Sequence, residues 1–382
     1  MKNKIFCAKP FSAIFLGPDG GVRPCCSLTG GDLGNLNNQP IEEILNGDLA
    51  KSIRQSFVNN EWHTSCSLCK KQEDIGQGLS ERCYNPNYDY SEVFKTGADY
   101  FKLMSMDLRW TNLCNLACNY CMPYFSSRWA QINNVRVNSL QKENVQNLLR
   151  YIENNLDSIS GIMMLGGEPL LQKENSKLLD ILSNSSAGVP ITILTNLSNP
   201  IETNTIAQKL LDWQDKVEWC ISIETIGDRF EYVRDGASWK VLNDNIDILN
   251  KNRPNVSCIN LYPIYCLYSA FNLEEYFEWA VSINADNIVW QMLFDPESLS
   301  ILNLNKDLKL EAIAEIDKII QKYSTKFNMQ SLLQIKNEIL SFTGPNQVVA
   351  THEWNIRLET EQLTNKKHTF NELWPELSTK IN

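Results

Sequence analysis

The chain has 382 residues, of which 43% are apolar and 21% charged, with a formal net charge of −10. That length allows two or three domains with a sizeable core, and the acidic balance, offset by no basic stripe, excludes a nucleic-acid backbone as the expected partner. No stretch reaches the roughly 18–20 apolar residues of a membrane span; twelve cysteines in short spacings, with no signal peptide, point to a reducing cytoplasm and metal ligation rather than disulfides.

Residues 1–95 read as a small cysteine-rich α+β unit. Phe11–Leu16 alternates towards a turn at Pro18-Asp19-Gly20-Gly21, and Val22–Cys25 returns as the second strand of a hairpin. Ile41–Val58 is predicted as one helix, with Ile44, Leu45, Ile53 and Phe57 on apolar spacing. Cys7 and Cys25 are separated by 17 intervening residues and meet through the hairpin; a further 40 residues on, Cys66-x2-Cys69 forms a short chelating loop. Four thiolates of this kind fit zinc or a four-iron cluster equally well on spacing alone.

From about residue 98 strands alternate with helices. Strands are predicted at Leu103–Leu108, Gly161–Leu165, Ile191–Leu194, Val217–Ile223, Ser257–Leu267 and Asn287–Leu293. A helix carries Val145, Leu148, Leu149 and Ile152 on one face, and another runs from Lys173 to Leu182. This repetition predicts an α/β fold with a parallel sheet, open or curled into part of a barrel, whose site lies at the carboxyl ends of the strands. After Pro296 the chain turns helical, with Leu310, Ile313, Ile316 and Ile320 in one stripe and a later helix stopping near Gly344-Pro345. The expected domains are therefore 1–95, 96–300 and 301–382. Cys220, Cys258 and Cys266 fall in strands and read as core thiols. The isolated His63, His352 and His368 receive no catalytic role, and Lys366-Lys367-His368 reads as a solvated surface.

The chemistry centres on Cys114, Cys118 and Cys121, spaced C-x3-C-x2-C directly after the first strand. Three thiolates can hold three irons of a four-iron cluster and leave the fourth open to chelate a small molecule. A structural zinc would need a fourth protein ligand, and no histidine stands nearby. Gly166-Gly167-Glu168-Pro169 ends the next strand, about 45 residues on; paired glycines admit a ligand close to the backbone, and the carboxylate can accept from an ammonium group. Ser222 ends a further strand, with Arg234 twelve residues later, and Thr195-Asn196 ends another.

The cysteine loop, with Tyr120 before its third cysteine, resembles the signature of radical S-adenosylmethionine (SAM) enzymes. The resemblance implies a partial (β/α)6 TIM-like barrel of the radical SAM type, with a [4Fe–4S] cluster on Cys114, Cys118 and Cys121. It implies SAM contacts from Tyr120, Gly166, Gly167, Glu168, Asn196, Ser222 and Arg234. Glu224 departs from the family's more frequent Asp. Cys7, twelve residues, Gly20, four residues, Cys25 is similar to the start of the SPASM/twitch auxiliary modules, here ahead of the core. That likeness implies a second [4Fe–4S] cluster on Cys7, Cys25, Cys66 and Cys69. Cys66-x2-Cys69-x13-Cys83 makes Cys83 an alternative ligand, and Cys26, beside Cys25, is a speculative catalytic thiol. The function so implied is reductive cleavage of SAM to a 5′-deoxyadenosyl radical that takes hydrogen from a peptide or small-molecule substrate. The auxiliary cluster would accept the electron in an oxidation, crosslink or epimerisation, and flavodoxin or ferredoxin would supply the reductant. The alternative is a non-catalytic binding protein stabilised by zinc or iron–sulfur.

Overall fold

A computed structural model describes residues 5–74, 80, 82, 91–185, 188–213, 217–253, 255–343 and 366–381. The chain divides into two compact units. The first comprises Met1–Leu113, Arg136–Ile193 and Trp213–Lys216; the second comprises Cys114–Val135, Leu194–Asp212 and Val217–Asn382.

In the first unit β1 (Ala13–Leu16) and β2 (Gly21–Arg23) form the expected antiparallel hairpin, joined on its outer side by β3 (Gly34–Asn35). The turn depends on Gly20, whose φ of +89° favours glycine. Asp19 accepts from the Gly21 N–H at 3.2 Å, and the Asn35 and Asn37 amides hold its carbonyl at 3.1 Å each. The hairpin begins later than predicted, because Lys9–Ser12 forms one helical turn with Pro10 in its first turn.

β1 also runs parallel to β4 (Ser105–Leu108), pairing Ala13 with Ser105 through Leu16 with Leu108. β4 pairs in parallel with β5 (Gly161–Met164), and β5 with β6 (Ile191–Thr195). The amino-terminal hairpin is thus an extension of the parallel sheet. Helix Lys142–Glu153 buries Val145, Leu148, Leu149 and Ile152, as its spacing predicts. The predicted helix over Ile41–Val58 is two, Ile41–Asn46 and Asp48–Val58, because Gly47 takes an extended conformation (ψ 162°) between them.

In the second unit β7 (Val217–Ile221), β8 (Val256–Leu261) and β9 (Asn287–Ile288) are parallel. Two predicted strands are shorter than expected. The run after Leu261 breaks at Pro263, which has no N–H to donate, and resumes as Ile264–Tyr265, paired with Gln291–Met292. Trp219, Ile221, Ile259 and Leu261 are fully buried. On the opposite face stand Glu218, Cys220, Cys258 and Asn260, linked by the Asn260 amide at 2.5 Å from Glu218 and 3.3 Å from the Cys258 sulfur. Cys220 and Cys266 are core thiols as expected, whereas Cys258 is only half-buried on this polar face.

Helix Lys306–Tyr323 buries Leu308, Ala312, Ile316, Ile319 and Tyr323, and Leu310 is exposed. Of the expected stripe Ile316 is buried, Ile313 and Ile320 are half-buried and Leu310 faces outward; Lys309 lies on the buried side, its stem covering apolar surface. The following helix ends at Ser341; Gly344 and Pro345 lie outside the described residues. Among the described residues no helix is long and apolar enough to cross a membrane.

Candidate iron–sulfur and SAM site

Cys114 begins a tightly tied loop. The Cys114 N–H donates to Ser127 Oγ at 3.1 Å, and that hydroxyl is 3.1 Å from the Cys114 carbonyl. Ser126 Oγ donates to the Leu116 carbonyl at 2.7 Å while capping helix Ser127–Ile132, and Trp129 Nε1 donates to the Cys118 carbonyl at 2.8 Å. Ala117–Cys118 pairs antiparallel with Arg234–Asp235, which sets Cys118 across from Arg234.

Donors converge on two of the three sulfurs. The Leu116 N–H lies 3.5 Å and the Asn196 amide 3.8 Å from Cys114 Sγ, and Arg234 Nη1 is 3.7 Å from Cys118 Sγ. Such donors favour a thiolate over a thiol. Burial opposes them: it raises the Cys118 thiol and pushes Cys121 up to about 12, with the neighbouring Cys118 charge adding to the rise.

Arg234 and Glu224 form a buried ion pair, with Arg234 Nε 2.8 Å from Glu224 Oε2 and Nη2 bonded to Oε1. The Tyr120 hydroxyl donates to Glu224 Oε1 at 2.6 Å and accepts from Arg234 Nη2 at 2.6 Å. The Ser222 N–H donates to the Thr195 carbonyl at 2.9 Å. Asn196 is buried, its Oδ1 accepting from Ser198 Oγ at 2.6 Å. Lys366 is not a solvated residue as predicted: its ammonium donates to Asn119 Oδ1 at 2.8 Å and to the Tyr232 carbonyl, 4.5 Å from the Tyr232 ring centre.

In the first unit, Gly166-Gly167-Glu168 packs on the segment that leads into Cys114. The Glu168 N–H donates to the Leu113 carbonyl at 2.7 Å. Gly166 has φ +134°, and a Cβ on Gly167 would collide with the Asn112 and Leu113 carbonyls. Glu168 is buried, and its Oε1 accepts from the Leu170 N–H at 3.1 Å. Gln172, fully buried, accepts from the Trp110 and Thr111 N–H groups at 3.0 and 3.3 Å, fixing the strand end before the loop. Nothing local marks Gln172 or Lys366 in the sequence, since their partners lie 62 and 247 residues away.

Also in the first unit, Cys7, Cys25, Cys66 and Cys69 share one neighbourhood. Cys7 packs with Phe11, Leu28, Ile53 and Phe57, and Cys25 and Cys66 lie against that cluster. Burial pushes Cys7 and Cys66 up to about 12, and the charges of their cysteine neighbours push further in the same direction. Cys26 is exposed, 3.8 Å from Ser27 Oγ. Cys83 lies outside the described residues. Among the described residues no three His, Cys, Asp or Glu side chains close on a point that a single ion could occupy. Cys114, Cys118 and Cys121, like Cys7, Cys25, Cys66 and Cys69, are free thiols, the soft donors that an iron–sulfur cluster takes.

Residues 108–269 match the radical SAM superfamily, and residues 7–70 match the SPASM iron–sulfur cluster-binding domain. A GTP 3′,8-cyclase from Campylobacter lari is 24% identical over 143 residues, 37% of this chain and 39% of the relative. Among solved structures, anSMEcpe with bound AdoMet and Cp18Cys peptide is 14% identical over 58% of this chain and 61% of its own, with a TM-score of 0.45. Streptococcus suis SuiB bound to precursor peptide SuiA is 14% identical over 71% and 64%, with a TM-score of 0.43. The match thus spans about two-fifths of the curated relative's length and under two-thirds of each of these structures. The cysteine loop lies inside the first matched segment and the four amino-terminal cysteines inside the second, so the chain carries a radical SAM domain and, ahead of it, a SPASM iron–sulfur domain, and the cofactors of these domains are a [4Fe–4S] cluster, SAM and auxiliary iron–sulfur.

Proposed function

We propose that this chain cleaves SAM reductively and uses the product radical to oxidise, crosslink or epimerise a peptide or small-molecule substrate. The observation that carries the reading is the pair of sulfurs with aimed donors in one cysteine loop, Cys114 facing the Leu116 N–H and the Asn196 amide and Cys118 facing Arg234. Of these donors Arg234 is the charged one, and an ordinary core thiol has no need of a charged donor. Held there, the cluster would supply the single electron for reductive cleavage of SAM, the source of a radical able to take a hydrogen atom from carbon.

The protein's own part is to bind and to orient. Cys114, Cys118 and Cys121 would hold three irons. Gly166 and Gly167 give a ligand close access to the backbone, and the Glu168 carboxylate would accept from the methionine ammonium. Tyr120, Asn196 and Ser222 would line the nucleoside side. Cys7, Cys25, Cys66 and Cys69 would hold the auxiliary cluster as an electron acceptor, with Cys83 as the alternative ligand. In this reading 1–95 is the auxiliary domain, 96–300 the core and 301–382 a helical extension, and a flavodoxin or ferredoxin supplies electrons.

Iron and acid-labile sulfide in anaerobically purified protein test the reading. About eight irons per chain are expected for two four-iron clusters; zinc without sulfide would refute it in favour of a binding protein. Cys118→Ala should abolish 5′-deoxyadenosine formation. Cys66→Ala should leave uncoupled SAM cleavage intact.

A further inference from the structure

Arg234 is the buried cation of the cysteine loop, and its whole guanidinium is spoken for. Nε and Nη2 bond Glu224, Nη2 also bonds Tyr120, and Nη1 points at Cys118 Sγ from 3.7 Å. The side chain is 5% exposed and that of Glu224 is not exposed at all. The fork geometry explains the arrangement: one edge of the guanidinium grips the carboxylate bidentately, which leaves the other amino group directed outward. The backbone aims it, because the antiparallel ribbon pairs Arg234 with Cys118. The Tyr120 hydroxyl bridges Glu224 and Arg234 and locks both.

A donor to a cluster sulfur, and a positive charge beside it, stabilise the reduced cluster, which is the more negative form. We propose that Arg234 sets the reduction potential of the core cluster through Cys118, with Glu224 and Tyr120 as its positioning pair, instead of serving to grip the SAM carboxylate. The inference rests on Cys118 being a cluster ligand. The step concerned is uptake of one electron from an external one-electron donor. No proton moves, since guanidinium stays charged at any working pH. Glu224 then has two effects of opposite sense: it holds Arg234 in place, and its own charge offsets part of the cation's field.

The test is a potentiometric titration of the full-length, anaerobically reconstituted protein with dithionite. It follows the EPR signal that changes on adding SAM, which distinguishes the core cluster from the auxiliary one. Arg234→Gln should move that midpoint lower than wild type, by loss of donor and charge. Glu224→Gln, which retains an acceptor for Arg234 but removes the offsetting charge, should move it higher. Arg234→Lys keeps the charge without the fork and should fall between wild type and Arg234→Gln. Should Arg234→Gln fail to hold a cluster, the signs for Glu224→Gln and Arg234→Lys decide. Unchanged midpoints overturn the inference, as does an Arg234→Gln protein that differs only in needing more SAM for the spectral change. A wild-type protein with no SAM-sensitive iron–sulfur signal would overturn the cluster assignment itself.

Discussion

Gly167→Ala offers a severe test of how the glycine motif is held. An added Cβ meets the Leu113 carbonyl oxygen well inside contact and the Asn112 oxygen at 2.6 Å, both of them backbone atoms that cannot rotate away. Relief requires the two segments to part, which forfeits the Glu168 N–H to Leu113 carbonyl bond of 2.7 Å. Overpacking of this kind costs ~1–3 kcal/mol, and the lost hydrogen bond adds ~1 kcal/mol. For a chain of this length a total of ~2–4 kcal/mol corresponds to a fall in Tm on the order of 2–5 °C. Because Leu113 is joined directly to Cys114, SAM-dependent spectral changes should weaken as well. The control is Gly161→Ala, where an added Cβ meets nothing within 4 Å and the expected effect is small. Differential scanning fluorimetry under nitrogen reads both variants. A Gly167→Ala protein as stable as Gly161→Ala would refute the idea that backbone proximity demands glycine here.

Three further outcomes follow from side chains outside the core loop. Arg82 holds Glu73 with Nε 2.8 Å from Oε1 and also donates to the Phe6 carbonyl at 3.2 Å, beside Cys7 in the chain. Arg82→Ala should therefore destabilise by ~1–3 kcal/mol and lose iron on desalting faster than wild type, which iron assays over time would detect. Glu338 is 9% exposed with Oε2 unbonded, and burial raises its pKa. A carboxyl whose folded pKa is raised contributes most when protonated, so its share of stability falls as pH rises from the unfolded value through the folded one. Glu338→Gln should then be more stable than wild type at pH 8, with the difference vanishing near pH 4, as urea midpoints would record. Lys366→Ala removes the bonds to Asn119 and Tyr232. It should speed limited proteolysis near Trp374, a rate that mass spectrometry can follow; an unchanged rate would mean that the lysine does not tether this segment.

Much of the local architecture was legible because it is written in neighbouring residues. The hairpin follows from Pro18-Asp19-Gly20-Gly21, since the turn needs one residue with positive φ. Helix Lys142–Glu153 follows from the spacing of four apolar residues. Where a single residue overrode the pattern, the prediction ran too long: Gly47 splits one helix and Pro263 interrupts one strand. Periodicity alone placed Ile316 inside but misplaced Leu310, which is exposed while its neighbour Lys309 turns inward.

By itself the sequence determined the chemistry available: three cysteines within eight positions, a paired glycine with a carboxylate, and a second cysteine set. Chelation by a short loop is local, so spacing is enough to declare it. Tertiary structure alone decided which distant groups attend those sulfurs. Arg234 and Lys366 reach the loop across 116 and 247 residues of chain, and β1 joins β4 across the hairpin's second strand and the helices that follow it. The physical reason is the same in each case. A buried charge, a bare carbonyl or an unpaired strand edge must find a partner, but the partner's distance along the chain has no effect on the energy once the fold has brought the two together.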